Sequence, residues 1–76
     1  MFNIGDIVEY IDPIDSSITS IGTVRLVEPA PDGGEFIYFR ANDETMNYLS
    51  DPRIPGGYHA IAHSSTGLIR NLQGDD

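Results

Sequence analysis

The chain has 76 residues, twelve acidic against four basic, with a formal net charge of −8 and no cysteine. That length holds one domain around one small core, leaving little room for an enclosed active site. Without cysteine there is no disulfide staple, thiolate metal site or cysteine nucleophile, and the acidic balance disfavours nucleic acid and anionic membrane surfaces as direct partners.

Residues 1–6 lack the basic and apolar segments of a signal peptide, and no apolar run approaches the roughly 18 to 20 residues that cross a bilayer, so a cytoplasmic protein is expected. Ile7 to Ile11, β-branched and aromatic, reads as a strand stopped by Asp12-Pro13. The stretch from Asp12 to Ser20 is a polar loop whose Ile14 and Ile18 have the option of folding back onto the core. Ile21 to Glu28 alternates as a second strand, with Gly22, Val24 and Leu26 on one face and Ile21, Thr23, Arg25 and Val27 on the other.

Pro29-Ala30-Pro31-Asp32-Gly33-Gly34 is dense in turn formers and leads into Phe36-Ile37-Tyr38-Phe39, predicting a β-hairpin. After Arg40 the pattern changes. Asn42 suits the cap of a single helical turn, Asp43 and Glu44 suit its positive end, and Met46 and Leu49 are spaced to share a face. This insertion, from Ala41 to Gly56, is followed by a fourth strand from Tyr58 to His63, a tight turn at Ser64-Ser65-Thr66-Gly67, and a fifth strand from Leu68 to Leu72. Residues 1–73 form the predicted domain and 74–76 a frayed acidic tail.

The charge is unevenly distributed. Asp6, Glu9 and Glu28 in or beside the predicted strands are offset by Arg25, Arg40 and Arg70, so the excess lies in the loops and tail. Presentation of negative charge to a partner and simple solubility both account for this. All four basic residues are arginine, and the absence of lysine removes the usual phosphate-tracking side chain.

Five short strands without a covering helix hide their edges best by closing into a barrel. Gly5-Asp6-Ile7-Val8-Glu9-Tyr10, followed by Ile21-Gly22-Thr23-Val24 and then Val27, resembles the opening of KOW-type and related SH3-like barrels. There a Gly-Asp-x-Val strand precedes a loop and a Gly-x-Val segment starts the second strand. The resemblance covers the first half of the chain. It implies an all-β, five-stranded SH3-like barrel, here with a loop or one-turn helical insertion between strands 3 and 4. KOW-type domains commonly contact RNA through basic loops, whereas the corresponding loop carries Asp12 and Asp15 and no basic residue. Peptide-binding SH3 domains use a groove that includes tryptophan, and this chain has none.

Candidate chemistry is sparse. His59 and His63 would share a face of a strand but stand roughly 13 Å apart, too far for one zinc ion. Asp12, Asp15, Asp43 and Glu44 lack the alternating ligand spacing of a calcium loop. Ser64 to Gly67 lacks the Lys and following helix of a phosphate loop, and the Gly33-Gly34 and Gly56-Gly57 pairs read as turns. No enzyme activity, metal or cofactor is expected.

The aromatic residues are more informative. Phe36 and Tyr38, beside Tyr48 and Leu49 of the insertion, either leave an apolar patch for a partner or are covered by the insertion itself. The expected partner-binding set is Asp12, Asp15, Phe36, Tyr38, Asp43, Glu44, Tyr48, Leu49 and Asp51. It describes a non-enzymatic protein-binding module, or small regulatory or accessory protein, facing a partner with a basic surface. A second copy, paired at an open strand edge, is another partner to consider. The alternative is an acidic inhibitor of the phage or mobile-element kind, which imitates nucleic acid to block a nuclease or DNA-binding protein.

Overall fold

The computed structural model describes residues 2–43 and 47–72. These contain seven strands and no helix: β1 (Ile7–Ile11), β2 (Thr19–Pro29), β3 (Glu35–Ala41), β4 (Leu49–Asp51), β5 (Ile54–Tyr58), β6 (Ala60–His63) and β7 (Ile69–Asn71). Five form an antiparallel sheet in the order β6-β3-β2-β1-β7, and β4 and β5 pair separately as a hairpin. The larger sheet curls into a half-barrel whose edges are β6 and β7. No helix of the described residues is long and apolar enough to cross a membrane.

Curling puts one face of every strand into a common core of Val8, Val24, Ile37, Phe39, Ala41, Ala62 and Ile69, with Phe2, Tyr10, Val27 and Ala60 packed against it. Tyr10 stacks on Phe39 with ring centroids 5.4 Å apart. Burial of these side chains is the main favourable term available to so short a chain.

The alternation read from β2 holds only for half the strand. Its pairing with β3 shifts register between Val24 and Leu26. Beyond that bulge Leu26 lies opposite Tyr38, and Val27 lies opposite the buried Ile37. Val24 and Val27 therefore serve the core, while Leu26 turns to the outer face. An extra residue in one strand inverts the facing of everything after it. Arg25 stands at the irregularity, and its NH2 donates to the Pro55 carbonyl at 2.8 Å.

The insertion departs from expectation at Leu49, which belongs to β4; Glu44 and Met46 of the expected loop or helical turn, like the tail at 74–76, lie outside the described residues. β5 has the sequence Ile-Pro-Gly-Gly-Tyr, which reads as a turn. It is held as a strand by Leu49 opposite Tyr58 and Asp51 opposite Ile54. Gly57 has φ +80°, and a Cβ there would lie 2.6 Å from the Leu49 carbonyl oxygen, so this close approach of the two strands requires glycine. The predicted strand from Tyr58 to His63 is consequently broken at His59, where β5 ends and β6 begins.

Candidate functional site

The β4-β5 hairpin lies over the outer face of β3. Ile54, at its turn, is 2% exposed although it lies outside the core cluster of the five-stranded sheet. Tyr38 beneath it is 8% exposed, with its ring edge-on to Tyr58 at 5.1 Å. A polar cluster locks this arrangement. The Tyr38 hydroxyl donates to Glu28 at 2.7 Å, and Arg53 is paired with both Glu28 and Asp51. The Tyr38 hydroxyl and Arg53 hold the Glu28 carboxyl below its usual range, and Arg53 does the same for Asp51. The Tyr38 phenol is pushed up, chiefly because the Glu28 carboxylate accepts its proton in a hydrogen bond.

Tyr48 is similarly occupied. Its hydroxyl donates to the Ala41 carbonyl at 2.6 Å, the Arg40 guanidinium lies 4.6 Å over its ring, and His59 meets it edge-on. The structure thus links Tyr38 and Asp51 through Arg53 and places Tyr48 in a separate group with Arg40 and His59, both at the attachment between hairpin and sheet. Phe36, at 36% exposed, and Leu49, at 55%, keep surface to offer. Glu44 lies outside the described residues, and Asp43 is exposed beside Tyr48, whose hydroxyl reaches its carbonyl at 3.1 Å.

Asp12 and Asp15 shape their own loop. Asp12 Oδ1 accepts the amides of Ile14 and Asp15 at 2.8 and 3.1 Å, and Asp15 Oδ1 accepts the amide and hydroxyl of Ser17 at 3.0 and 2.6 Å. These are Asx turns, which fix backbone that would otherwise wander. The Ser17 hydroxyl and then its amide lower the Asp15 pKa. Two backbone bonds close the loop, from Asp12 to the Ile18 carbonyl and from Ile18 to the Asp15 carbonyl. Ile14, in the centre, is 95% exposed, and Ile18 is exposed beside it. Neither folds back onto the core, and nothing local in the sequence marks them as surface features.

At this same end, Tyr10, Asp12, Ile18, Ser20, His59 and Ala60 line a cavity of about 230 Å³. His59 packs its ring on Phe39, and its Nδ1 is buried with no hydrogen-bond partner among the described residues. The Tyr10 phenol is raised by burial and by the nearby Asp12 carboxylate.

Asp32, His63 and Ser65 form a third cluster. His63 Nε2 lies 3.0 Å from the Asp32 carboxylate, and Nδ1 lies 2.8 Å from the Ser65 hydroxyl. The Ser65 amide donates to Nδ1 at 3.1 Å, so Nδ1 is an acceptor and Nε2 carries the proton facing Asp32. The connectivity is that of an acid, base and nucleophile relay. The base nitrogen is also shared with the amide, and both Asp32 and Ser65 are exposed. The cluster acts as a clasp between the β2-β3 and β6-β7 turns, supplemented by the Glu35 amide donating to the Ser64 hydroxyl at 3.0 Å. His59 and His63 have separate neighbours, and no group of three or more metal-ligating side chains occurs among the described residues.

No protein-family model, curated protein or solved structure matches the chain.

Proposed function

We propose that this chain is a non-enzymatic protein-binding module with an SH3-like architecture, and that its acidic loop from Asp12 to Ile18 docks on a basic surface of a partner. A four-strand meander whose fifth strand returns beside the first supports the architectural reading. The observation that carries the function is Ile14. Two carboxylates and two backbone bonds order this loop, yet they hold a β-branched apolar side chain almost wholly in water. An ordered apolar residue ringed by charge is the composition of an interface centre with a polar rim, and prior ordering reduces the entropic cost of docking. Leu49 and Phe36 are further apolar contacts available to the same or another partner.

The test is affinity capture from nuclease-treated lysate of the native host, using the wild type and the Ile14→Ser/Ile18→Ser variant. A partner held by the wild type and lost by the variant is the expected outcome. Equal retention by both would remove the loop from the interface.

A second reading is the nucleic-acid mimic. It is favoured by the ion pairs of Arg53 with Glu28 and Asp51 and of Arg70 with Glu9, which neutralise sheet charge locally and leave Asp12 and Asp15 with no cationic partner among the described residues. Binding by mimicry weakens steeply between about 50 and 200 mM salt. A salt-resistant complex, unaffected by Asp12→Asn and Asp15→Asn, would rule it out.

A further inference from the structure

We infer that the cavity between the acidic loop and His59 receives an arginine side chain of the protein partner. This deepens the protein-binding reading and rests on it. The size is the first reason: about 230 Å³ lies below the roughly 300 to 1,000 Å³ of sites for drug-sized ligands, and suits one long side chain.

The lining is the second reason. Its lining residues are Asp12, Ser20 and Tyr10, whose side chains carry oxygen acceptors, together with His59 and the apolar Ile18 and Ala60, and no arginine is among them. Asp12 uses Oδ1 to hold the loop amides, and Oδ2 makes no hydrogen bond with a described residue. A guanidinium presents five N–H donors in a plane and stacks on rings, so it matches carboxylate, hydroxyls and aromatic surface together. An ammonium offers a point charge and no plane. A neutral ligand leaves the Asp12 charge uncompensated.

The third reason is location. Ile18 belongs both to the cavity wall and to the exposed apolar pair with Ile14. A partner segment that covers Ile14 therefore passes the cavity mouth, where an arginine can enter while its neighbours lie on the isoleucines.

The test titrates the ¹⁵N-labelled full chain with three capped peptides, Gly-Arg-Gly, Gly-Lys-Gly and Gly-citrulline-Gly, each to about 20 mM, followed by amide chemical shifts. The arginine peptide should shift Asp12, Ile18, Ser20 and Ala60 with a Kd of about 1 mM. Lysine should bind about tenfold more weakly, and citrulline, which keeps the shape but not the charge, should leave these amides unmoved. Asp12→Asn retains an Oδ1 acceptor for the Ile14 and Asp15 amides and should weaken arginine binding about tenfold or more. Ser20→Leu, which fills the cavity from a different strand, should abolish it. Absence of arginine shifts, shifts confined to other residues, equal response to citrulline, or unchanged affinity in both variants would overturn the proposal. The capture experiment is independent: loss of the partner with Ile14→Ser/Ile18→Ser alongside silent peptides retains the module and removes the cavity from its interface.

Discussion

Arg53 lies over Tyr38, its guanidinium carbon 5.4 Å from the ring centroid, and donates to the Tyr38 hydroxyl at 3.3 Å. One arginine in the turn between β4 and β5 thus touches an aromatic of the sheet and pairs with carboxylates on both sides of the joint, Glu28 on β2 and Asp51 on β4. The attachment of the hairpin depends on this group more than on any strand pairing, because β4 and β5 pair only with each other.

Acid should loosen that joint. The folded-state pKa values of Glu28 and Asp51 are both depressed, so the stability they contribute is present above the unfolded carboxylate value of about 4 and is lost as pH falls through the lower folded values. Thermal melts of the wild type should therefore fall in Tm from about pH 5 downward. In Arg53→Leu the slope over that window should be shallower, since the Arg53 contribution to both depressions is gone. Parallel slopes would mean that other carboxylates carry the acid sensitivity.

Tyr38→Phe keeps the ring against Tyr58 and removes only the hydroxyl between Glu28 and Arg53. A loss of about 1.5 to 3 kcal/mol in urea unfolding is expected, the ordinary range for a hydrogen bond to a charged group. The m-value should be unchanged, because the surface exposed on unfolding is the same.

Gly22 is a packing requirement. A Cβ there would lie 2.1 Å from the Arg40 carbonyl oxygen and 2.8 Å from Ala41 Cα, both backbone, and 2.7 Å from the buried Phe39 ring. Gly22→Ala should cost about 3 kcal/mol or more by forcing β2 and β3 apart. Chemical denaturation measures this, and a cost below about 1 kcal/mol would show that the strands separate easily.

Ile54→Ala should cost about 2 to 4 kcal/mol, as for other buried isoleucines. Its signature is the pattern of loss. Amide exchange should accelerate most in β4 and β5, with β1 and β2 following only the global decrease in stability. Uniform acceleration would indicate that hairpin and sheet open as one unit.

Local pattern made part of this structure readable. Ile7 to Ile11, bounded by Gly5-Asp6 and Asp12-Pro13, is β1, and the turn formers from Pro29 to Gly34 lead from β2 to β3 as their chemistry demands. The Arg25 bulge left no mark, because Val24, Leu26 and Val27 are all acceptable on either face until the register with β3 is known. Ile-Pro-Gly-Gly-Tyr concealed a strand for the opposite reason: its local preference is for a turn, and only the pairing with Leu49 to Asp51 overrides it. Asp12 and Asp15 stood out in the sequence by charge, but the cavity that Asp12 helps line draws on residues from Tyr10 to Ala60, joined only by the curl of the sheet. Likewise, the Asp32 to His63 link spans 31 positions and has no local signal.

Removal of residues 42–57 on paper leaves all four pairings of the five-stranded sheet in place, since neither β4 nor β5 contributes to them. What such a shortened chain would lose is shade over Tyr38, and its outer face would offer an aromatic ring to any neighbouring molecule. The hairpin is an awning for the sheet. Shortening it would be expected to leave a stickier chain long before it undid the fold.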